Sequence, residues 1–135
     1  MAKWALQREN HGSQPEREPL ENIDQLRGWL MELCQEGRSN FYLHNEDTGD
    51  ELTVLMKAPH AAVSLMRGSD FGSSSATVNP AFRPKAPADW ETFTVEASPA
   101  RVPRDRCVPL DTMVKIVEHV YEHGSLPEWI AWREE

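Results

Sequence analysis

The sequence predicts a single α+β domain in which two helices pack on one face of an antiparallel β-sheet. Two segments with helical periodicity lie near residues 23–36 and 110–123. Between them stand short runs bounded by glycine, proline and aspartate, which is typical of strands joined by turns. Because the strands are grouped between the helices rather than alternating with them, the pattern favours an α+β fold. A chain of 135 residues is long enough for one such domain with its own core.

The first helix is predicted to begin after Asn22 and to end at Gly37. Asn22 can accept a hydrogen bond from a free N–H of the first turn, and glycine is the usual residue at a helix C-terminus. The apolar side chains of this segment recur at helical spacing and predict its buried face: Ile23, Leu26, Leu30, Leu33 and Cys34.

Short strands are predicted to follow the first helix. The first two form a hairpin, because the sequence Glu46-Asp47-Thr48-Gly49-Asp50 between them suits a tight turn. Residues 68–75 are predicted to be a polar loop. The predicted strands of this middle region are 40–45, 51–57, 60–66, 76–78 and 90–97.

The second helix is predicted over residues 110–123 and ends at Gly124. A last short strand is predicted at 129–132. The apolar stripe of this helix consists of Leu110, Met113, Val114, Val117, Val120 and Tyr121.

The first 18 residues are predicted to be a flexible N-terminal arm. They are polar, contain Gly12 and Pro15, and have Trp4 and Leu6 as their only sizeable apolar groups. The α+β domain is therefore predicted to span residues 19–135.

The charge of the chain favours a basic protein as its partner. The formal net charge is -8 and the sequence pI is about 5.1, whereas nucleic acids and anionic membranes attract clustered lysine and arginine. No run approaches the roughly 20 apolar residues of a membrane span. We therefore expect no nucleic-acid partner, no membrane partner and a cytoplasmic location. The two cysteines, Cys34 and Cys107, are expected to be idle thiols.

One catalytic motif gives an alternative hypothesis. The sequence His119-Val120-Tyr121-Glu122-His123 matches H-x-x-E-H, in which two histidines bind zinc and the glutamate activates water. At 100° per residue, however, His119 and His123 lie opposite the apolar stripe, where a solvated helix face is expected. A metal-dependent hydrolase using His119, Glu122 and His123 is thus one alternative function, and a general adaptor or chaperone is another. Asp47-Thr48-Gly49 resembles an aspartic protease tripeptide, but it lies in a turn crowded with other carboxylates.

The remaining candidate site is a surface for binding a protein. Acidic residues concentrate in the predicted hairpin turn, and an aromatic residue follows an aspartate in the next loop. Such aromatics can anchor an interface while the acids select a basic partner. The candidate partner-binding residues are Glu46, Asp47, Asp50, Glu51, Asp70, Phe71 and Trp90.

The C-terminal segment resembles a family signature. It runs Val108-Pro109-Leu110, a helix ending in His123-Gly124, and then Pro127-Glu128-Trp129-Ile130-Ala131-Trp132. This is similar to the signature of immunity protein family one of bacterial polymorphic toxin systems, in which an aliphatic residue stands two before a closing tryptophan. Ile130 and Trp132 fill those two places.

The resemblance implies a cytoplasmic inhibitor without a cofactor that binds one cognate toxin domain, in this family often a nucleic-acid deaminase. It further implies that the signature residues Pro109, Gly124, Pro127 and Trp132 are structural. The two histidines of the second helix and the N-terminal arm with Trp4 depart from the family pattern.

Overall fold

Two helices and ten strands form the part of the chain that the computed structural model describes, residues 3–9, 17–37 and 40–134. The predicted α+β class is confirmed. In chain order the elements are β1 (Trp4–Arg8), β2 (Arg17–Leu20), α1 (Ile23–Glu36), β3 (Phe41–Asn45), β4 (Glu51–Lys57), β5 (His60–Met66), β6 (Ser73–Thr77), β7 (Trp90–Val95), β8 (Ser98–Pro103), β9 (Cys107–Pro109), α2 (Leu110–His123) and β10 (Ala131–Glu134).

Both helices begin and end where the sequence predicts. The Asn22 side chain accepts a hydrogen bond from the N–H of Gln25 at 2.9 Å, which satisfies one free donor of the first turn of α1. Gly37 and Gly124 end α1 and α2 with φ of 73° and 70°. At these left-handed positions glycine has no Cβ to clash with the preceding turn.

The large sheet is antiparallel throughout, with the strand order β10-β6-β5-β4-β3-β1-β2. β9 pairs with the first residues of β5, and β6 pairs with its last residues, so the two strands share one edge of β5. The predicted β3–β4 hairpin and the strand that follows it are confirmed.

One face of the sheet, the inner face, carries the core. Leu6, Leu43, Leu52 and Leu65 lie directly opposite one another on β1, β3, β4 and β5, and all belong to one buried cluster. Each such leucine stabilises the fold by about 1.5–3 kcal/mol through burial. The same cluster contains apolar side chains of both helices, so α1 and α2 cover this one face, as the sequence predicts.

The opposite face, the outer face, is partly covered by a second, two-stranded sheet of β7 and β8. The Lys57 ammonium lies 2.9 Å from a Glu91 carboxylate oxygen of β7. The Asn40 side-chain amide donates to the Thr94 carbonyl oxygen at 2.7 Å. Phe93 between these contacts is fully buried, which fixes the β7–β8 hairpin in place.

The prediction of a flexible N-terminal arm is wrong for the described residues of that segment. β1 is an interior strand between β3 and β2, and Trp4 is only 3% exposed. Trp4 and Leu6 point to the core, whereas Gln7 pairs with Tyr42 on the outer face. Side chains of β1 alternate between the two faces over only five residues, which is too short a pattern to predict a strand unless its partner β3 is known. Residues 1–2 and 10–16, the rest of the predicted arm, lie outside the described residues.

Several strand boundaries differ from the prediction. The predicted polar loop 68–75 is wrong at its end, because Ser73 to Ser75 belong to β6, which lies between β5 and β10. The strand predicted at 90–97 ends at Val95, and the one predicted at 129–132 begins at Ala131. β8 was not predicted, since Pro99 and Pro103 in it are unfavourable for most strands.

Candidate functional site

Two loops meet at one end of the sheet and bring most of the predicted binding residues together. They are the β3–β4 turn, residues 46–50, and the β5–β6 loop, residues 67–72. We call these two loops together the acidic tip. The Asp50 carboxylate accepts a hydrogen bond from the N–H of Gly68 at 2.9 Å. A Cβ on Gly68 would lie 2.3 Å from the Thr48 carbonyl oxygen, so glycine is needed for the backbones to approach this closely.

The β3–β4 turn is held by a buried asparagine. The Asn45 side-chain oxygen accepts from the N–H groups of Asp47 and Thr48 at 2.9 and 3.2 Å. The backbone N–H of Asn45 donates to the Asp50 carbonyl oxygen at 2.9 Å. The N–H of Lys3 donates to the Asp47 carboxylate at 2.9 Å. The turn therefore has a defined shape before any partner binds.

The β5–β6 loop closes on itself around Asp70. One Asp70 carboxylate oxygen accepts from the N–H of Gly72 at 2.8 Å and from Nε of Arg67 at 3.2 Å. These bonds lower the pKa of the Asp70 carboxyl, the Gly72 N–H having the largest effect. Arg67 and Gly72 are also joined through their backbones at 2.8 Å. Asp70 thus stays ionised and holds the loop closed.

Phe71 is the most exposed large apolar side chain among the described residues. It is 78% exposed and its φ is 56°, a conformation that L-residues other than glycine rarely adopt. Its N–H donates to the Arg67 carbonyl at 2.9 Å. Strained backbone conformations cluster at functional sites, so the strain at Phe71 motivates the hypothesis that this loop binds a partner.

The acidic tip has a negative net charge, although some of its carboxylates are paired with cations. Glu46 pairs with Arg17 at 3.4 Å, and Asp70 pairs with Arg67, so two of its carboxylates have a cation beside them. Asp47 and Asp50 instead accept from backbone N–H groups, which carry no net charge. Within the part of the chain that the structure describes, no salt bridge joins Asp47 or Asp50 to a basic side chain. The sequence did not identify Arg17 as a residue beside the acidic tip, because its strand was not predicted.

Glu51 faces the sheet rather than the acidic tip. It stands opposite His44 in the β3–β4 pairing, and its carboxylate lies 3.5 Å from His44 Nδ1. The other ring nitrogen lies 2.7 Å from the Gln7 side-chain oxygen. Burial lowers the pKa of the His44 imidazole, and Arg17 adds to this effect, whereas Glu51 and Glu46 oppose it.

Trp90 lies at the other end of the molecule. Its neighbour Glu91 contacts Lys57, the last residue of β4, whereas the acidic tip adjoins Glu51, the first residue of that strand. Seven residues of strand separate these ends by about 20 Å. The Arg101 guanidinium stacks on the Trp90 ring at 4.8 Å. The structure therefore brings Asp47 and Phe71 to one surface but does not bring Trp90 to it.

The histidine motif forms a pair on α2. The rings of His119 and His123 are 4.4 Å apart, and Glu122 is exposed. Among the described residues, no group of three or more histidine, cysteine or acidic side chains is placed to hold a metal ion. The described geometry therefore supplies two of the ligands that a zinc site needs, and a catalytic zinc centre has three.

The C-terminal signature residues have structural roles. The Trp132 indole N–H donates to the Pro127 carbonyl at 3.0 Å, which folds the segment back so that β10 pairs with β6. Ile130 and Trp132 pack against the main core. Within the described residues, neither helix is long and apolar enough to cross a membrane.

A comparison with known proteins gives the family. The model of the immunity protein Imm1 family matches residues 14–134, which is nearly the whole chain and includes both helices and the acidic tip. No curated protein matches the sequence. The chain belongs to the Imm1 family of immunity proteins.

Proposed function

We propose that this protein protects a bacterial cell by binding a cognate toxin, a nucleic-acid deaminase, and covering its substrate cleft with the acidic tip. The family membership supports an immunity role and hence a toxin as partner. The proposal adds three points to this role: the toxin is a nucleic-acid deaminase, the acidic tip binds it, and the inhibition takes place in the cytoplasm.

Charge complementarity supports a toxin that acts on nucleic acid. An enzyme that binds a phosphate backbone presents a basic cleft, and a protein of net charge -8 is attracted to such a cleft. The attraction raises the association rate and is weakened by salt. Asp47 and Asp50, which have no side-chain cation bound to them among the described residues, are the groups of the tip best suited to replace substrate phosphates.

The observation that carries the proposal is the exposed Phe71 in a loop that its own hydrogen bonds hold in place. An aromatic side chain that becomes buried at the centre of an interface contributes up to about 2–4 kcal/mol by the measure of alanine substitution. Because the loops are already ordered by Asp50 and Asp70, little conformational entropy is lost on binding. Inhibition in this form is steric and needs no cofactor and no covalent step.

The test compares two doubly substituted variants with the wild type. Asp47→Asn with Phe71→Ala removes one charge and the aromatic of the acidic tip. Glu128→Gln with Trp129→Ala removes an exposed acid and an exposed aromatic from the opposite end of the sheet. Each protein is mixed with the toxin encoded by the neighbouring gene, and the dissociation constant and the rate of deamination of single-stranded and double-stranded nucleic acid are measured.

We expect the tip variant to bind at least about 30-fold more weakly and to inhibit less, because the loss of a central aromatic costs 2 kcal/mol or more. The control variant should bind and inhibit like the wild type. Equal binding by the tip variant would refute the proposed face. A neighbouring toxin that binds but lacks deaminase activity would refute the proposed chemistry while leaving the immunity role intact.

A further inference from the structure

His119 and His123 lie one helical turn apart at the end of α2, and the proposed function does not use them. The centroids of their rings are 4.4 Å apart, and the ring planes are tilted by 42°. Residues i and i+4 of an α-helix lie on the same face, so the backbone itself holds the two imidazoles side by side. His119 is half-buried and His123 is exposed, so solvent reaches the pair.

Both rings are suited to bind a metal ion. A neutral imidazole has one nitrogen with a lone pair, and histidine is the commonest metal ligand in proteins. Within the part of the chain that the structure describes, neither ring takes part in a hydrogen bond or a salt bridge, and the two rings contact each other. A metal ion would therefore replace water at these nitrogens and break no contact of the fold.

The distance between the rings matches two ligands at a right angle around one ion. With metal–nitrogen bonds of about 2.0–2.1 Å, two imidazoles at 90° have centroids about 4.5 Å apart, whereas two at the tetrahedral angle have centroids about 5.2 Å apart. The observed 4.4 Å corresponds to neighbouring positions of a square-planar complex. Among the metals that imidazole binds, Cu²⁺ and Ni²⁺ prefer that geometry and Zn²⁺ the tetrahedral one.

The charges around the pair also favour a cation. The unpaired carbonyl groups at a helix C-terminus carry a partial negative charge, and His123 is the last residue of α2. This helix has three acidic side chains and one basic side chain, Lys115. Lys115 lies one turn before His119 and opposes the binding of a cation, whereas Glu122, next to His123, favours it.

We infer that His119 and His123 together bind one divalent ion of the Cu²⁺ and Ni²⁺ class, with water in the remaining positions. The described residues supply two ligands, one fewer than a catalytic zinc centre has, so the site binds metal without hydrolytic chemistry. A bound ion would join two successive turns and stabilise the end of α2. This inference does not rest on toxin binding.

The test is a calorimetric titration of the purified full chain with the chlorides of copper, nickel, zinc and magnesium, in a buffer that does not bind metals. We expect one Cu²⁺ per chain at this pair, weaker binding of Ni²⁺ and Zn²⁺, and no binding of Mg²⁺, which prefers oxygen ligands. Electron paramagnetic resonance of the copper complex should show two equatorial imidazole nitrogens. Zn²⁺ should leave the oligomeric state of the chain unchanged.

Substitutions locate the site. His119→Gln and His123→Gln should each lower the Cu²⁺ affinity by about tenfold or more, because the second ligand of a linked pair acts at a high effective concentration. Saturating Cu²⁺ should raise the Tm of the wild type but not that of the variant with both substitutions. His60→Gln makes the same chemical change at a half-buried histidine of β5 and is the matched control, which should bind like the wild type.

Glu122→Gln separates the imidazoles from the carboxylate between them. This variant keeps both rings, so it should keep the two-nitrogen resonance signal and most of the affinity. Loss of that signal in Glu122→Gln would show that the carboxylate rather than the histidine pair binds the ion.

Three other results would overturn the inference. The first is an equal Cu²⁺ affinity in the wild type and in the variant with both histidines replaced. The second is an equal loss of affinity in His60→Gln. The third is tighter binding of Zn²⁺ than of Cu²⁺, or pairing of two copies by Zn²⁺, because a tetrahedral site would then replace the square-planar one.

Discussion

The Asp50 carboxylate accepts a hydrogen bond from the backbone N–H of Gly68 at 2.9 Å, and this contact joins two loops that are 18 residues apart in sequence. Asp50 belongs to the β3–β4 turn and Gly68 to the β5–β6 loop. Because β4 and β5 are paired along their whole length, the first residue of β4 lies opposite the last residue of β5. The hydrogen bond joins the two loops into one surface, which also carries Phe71.

Gly68→Ala should separate these loops. The new Cβ would lie 2.3 Å from the Thr48 carbonyl oxygen and 2.7 Å from the Gly49 carbonyl carbon, both of which are backbone atoms. We expect a decrease of about 1–3 kcal/mol in the free energy of unfolding, as for other overpacked sites, and weaker toxin binding. Urea denaturation and calorimetric titration measure the two effects.

Gly28→Ala is the control for the same chemical change. Gly28 lies within α1, and a Cβ there would meet nothing within 4 Å. Replacing a helical glycine by alanine should raise the free energy of unfolding by about 0.5–1 kcal/mol and leave binding unchanged. A Gly68→Ala variant as stable as this control would show that the close contact of the loops is dispensable.

Phe71→Gly should separate stability from binding. The φ of 56° is strained for phenylalanine by about 1–2 kcal/mol, whereas glycine adopts it freely. Because the side chain is 78% exposed, little burial is lost. We expect the free energy of unfolding to stay constant or to rise by up to about 1 kcal/mol, and toxin affinity to fall as much as in Phe71→Ala. Retained affinity would show that Phe71 is no anchor.

The helices could be predicted from the sequence because their signals are local. Asn22 and Gly37 mark the ends of α1, and the apolar spacing between them marks its buried face. β1 could not be predicted, since its five residues gain their stability from pairing with Phe41 to Asn45, more than 30 residues away. β8 was missed because propensity disfavours Pro99, although a strand of the small sheet tolerates it.

The candidate site could be predicted in composition but not in orientation. The acidic turn and the loop with Phe71 follow from the sequence. The position of Glu51 on the outer face beside His44, however, depends on strand register, because neighbouring residues of a strand point to opposite faces. The separation of Trp90 from the acidic tip depends on where the β7–β8 hairpin packs, which is fixed by non-local contacts such as Lys57 with Glu91.

His44 should make stability depend on pH. Burial lowers the pKa of its imidazole below the ordinary value of 6.5. The unfolded chain therefore binds a proton that the folded chain does not, so the free energy of unfolding falls as the pH drops below about 6.5. His44→Gln keeps a polar group beside Gln7 and Glu51 but cannot titrate. Thermal unfolding at pH 7.5 and 5.5 should show a smaller loss of Tm in this variant than in the wild type. Equal losses would assign the dependence to other groups.

The buried pair of Asp105 and Arg133 should be the most sensitive of the salt bridges among the described residues. Asp105 is 4% exposed, its carboxylate lies 3.1 Å from an Arg133 nitrogen, and it accepts from the Thr77 hydroxyl at 2.6 Å. Asp105→Ala would leave the Arg133 cation buried without its counter-charge, at a cost of about 3–5 kcal/mol in the free energy of unfolding. Carbonyl oxygens of Pro80 and Phe82 still accept from Arg133, which favours the lower end of that range.

Chemical denaturation of a double-mutant cycle checks the origin of this cost. Arg133→Met removes the cation and keeps much of the packing volume, so the pair Asp105→Ala with Arg133→Met should be less destabilised than the sum of the single variants. The difference measures the penalty of the uncompensated charge. Asp105 contacts both Arg133 of β10 and Thr77 of β6. Asp105→Ala should therefore also increase amide hydrogen exchange in β10 before it does so in β4. Additive single effects, with uniform exchange across the sheet, would instead mean that packing rather than charge pairing holds this edge.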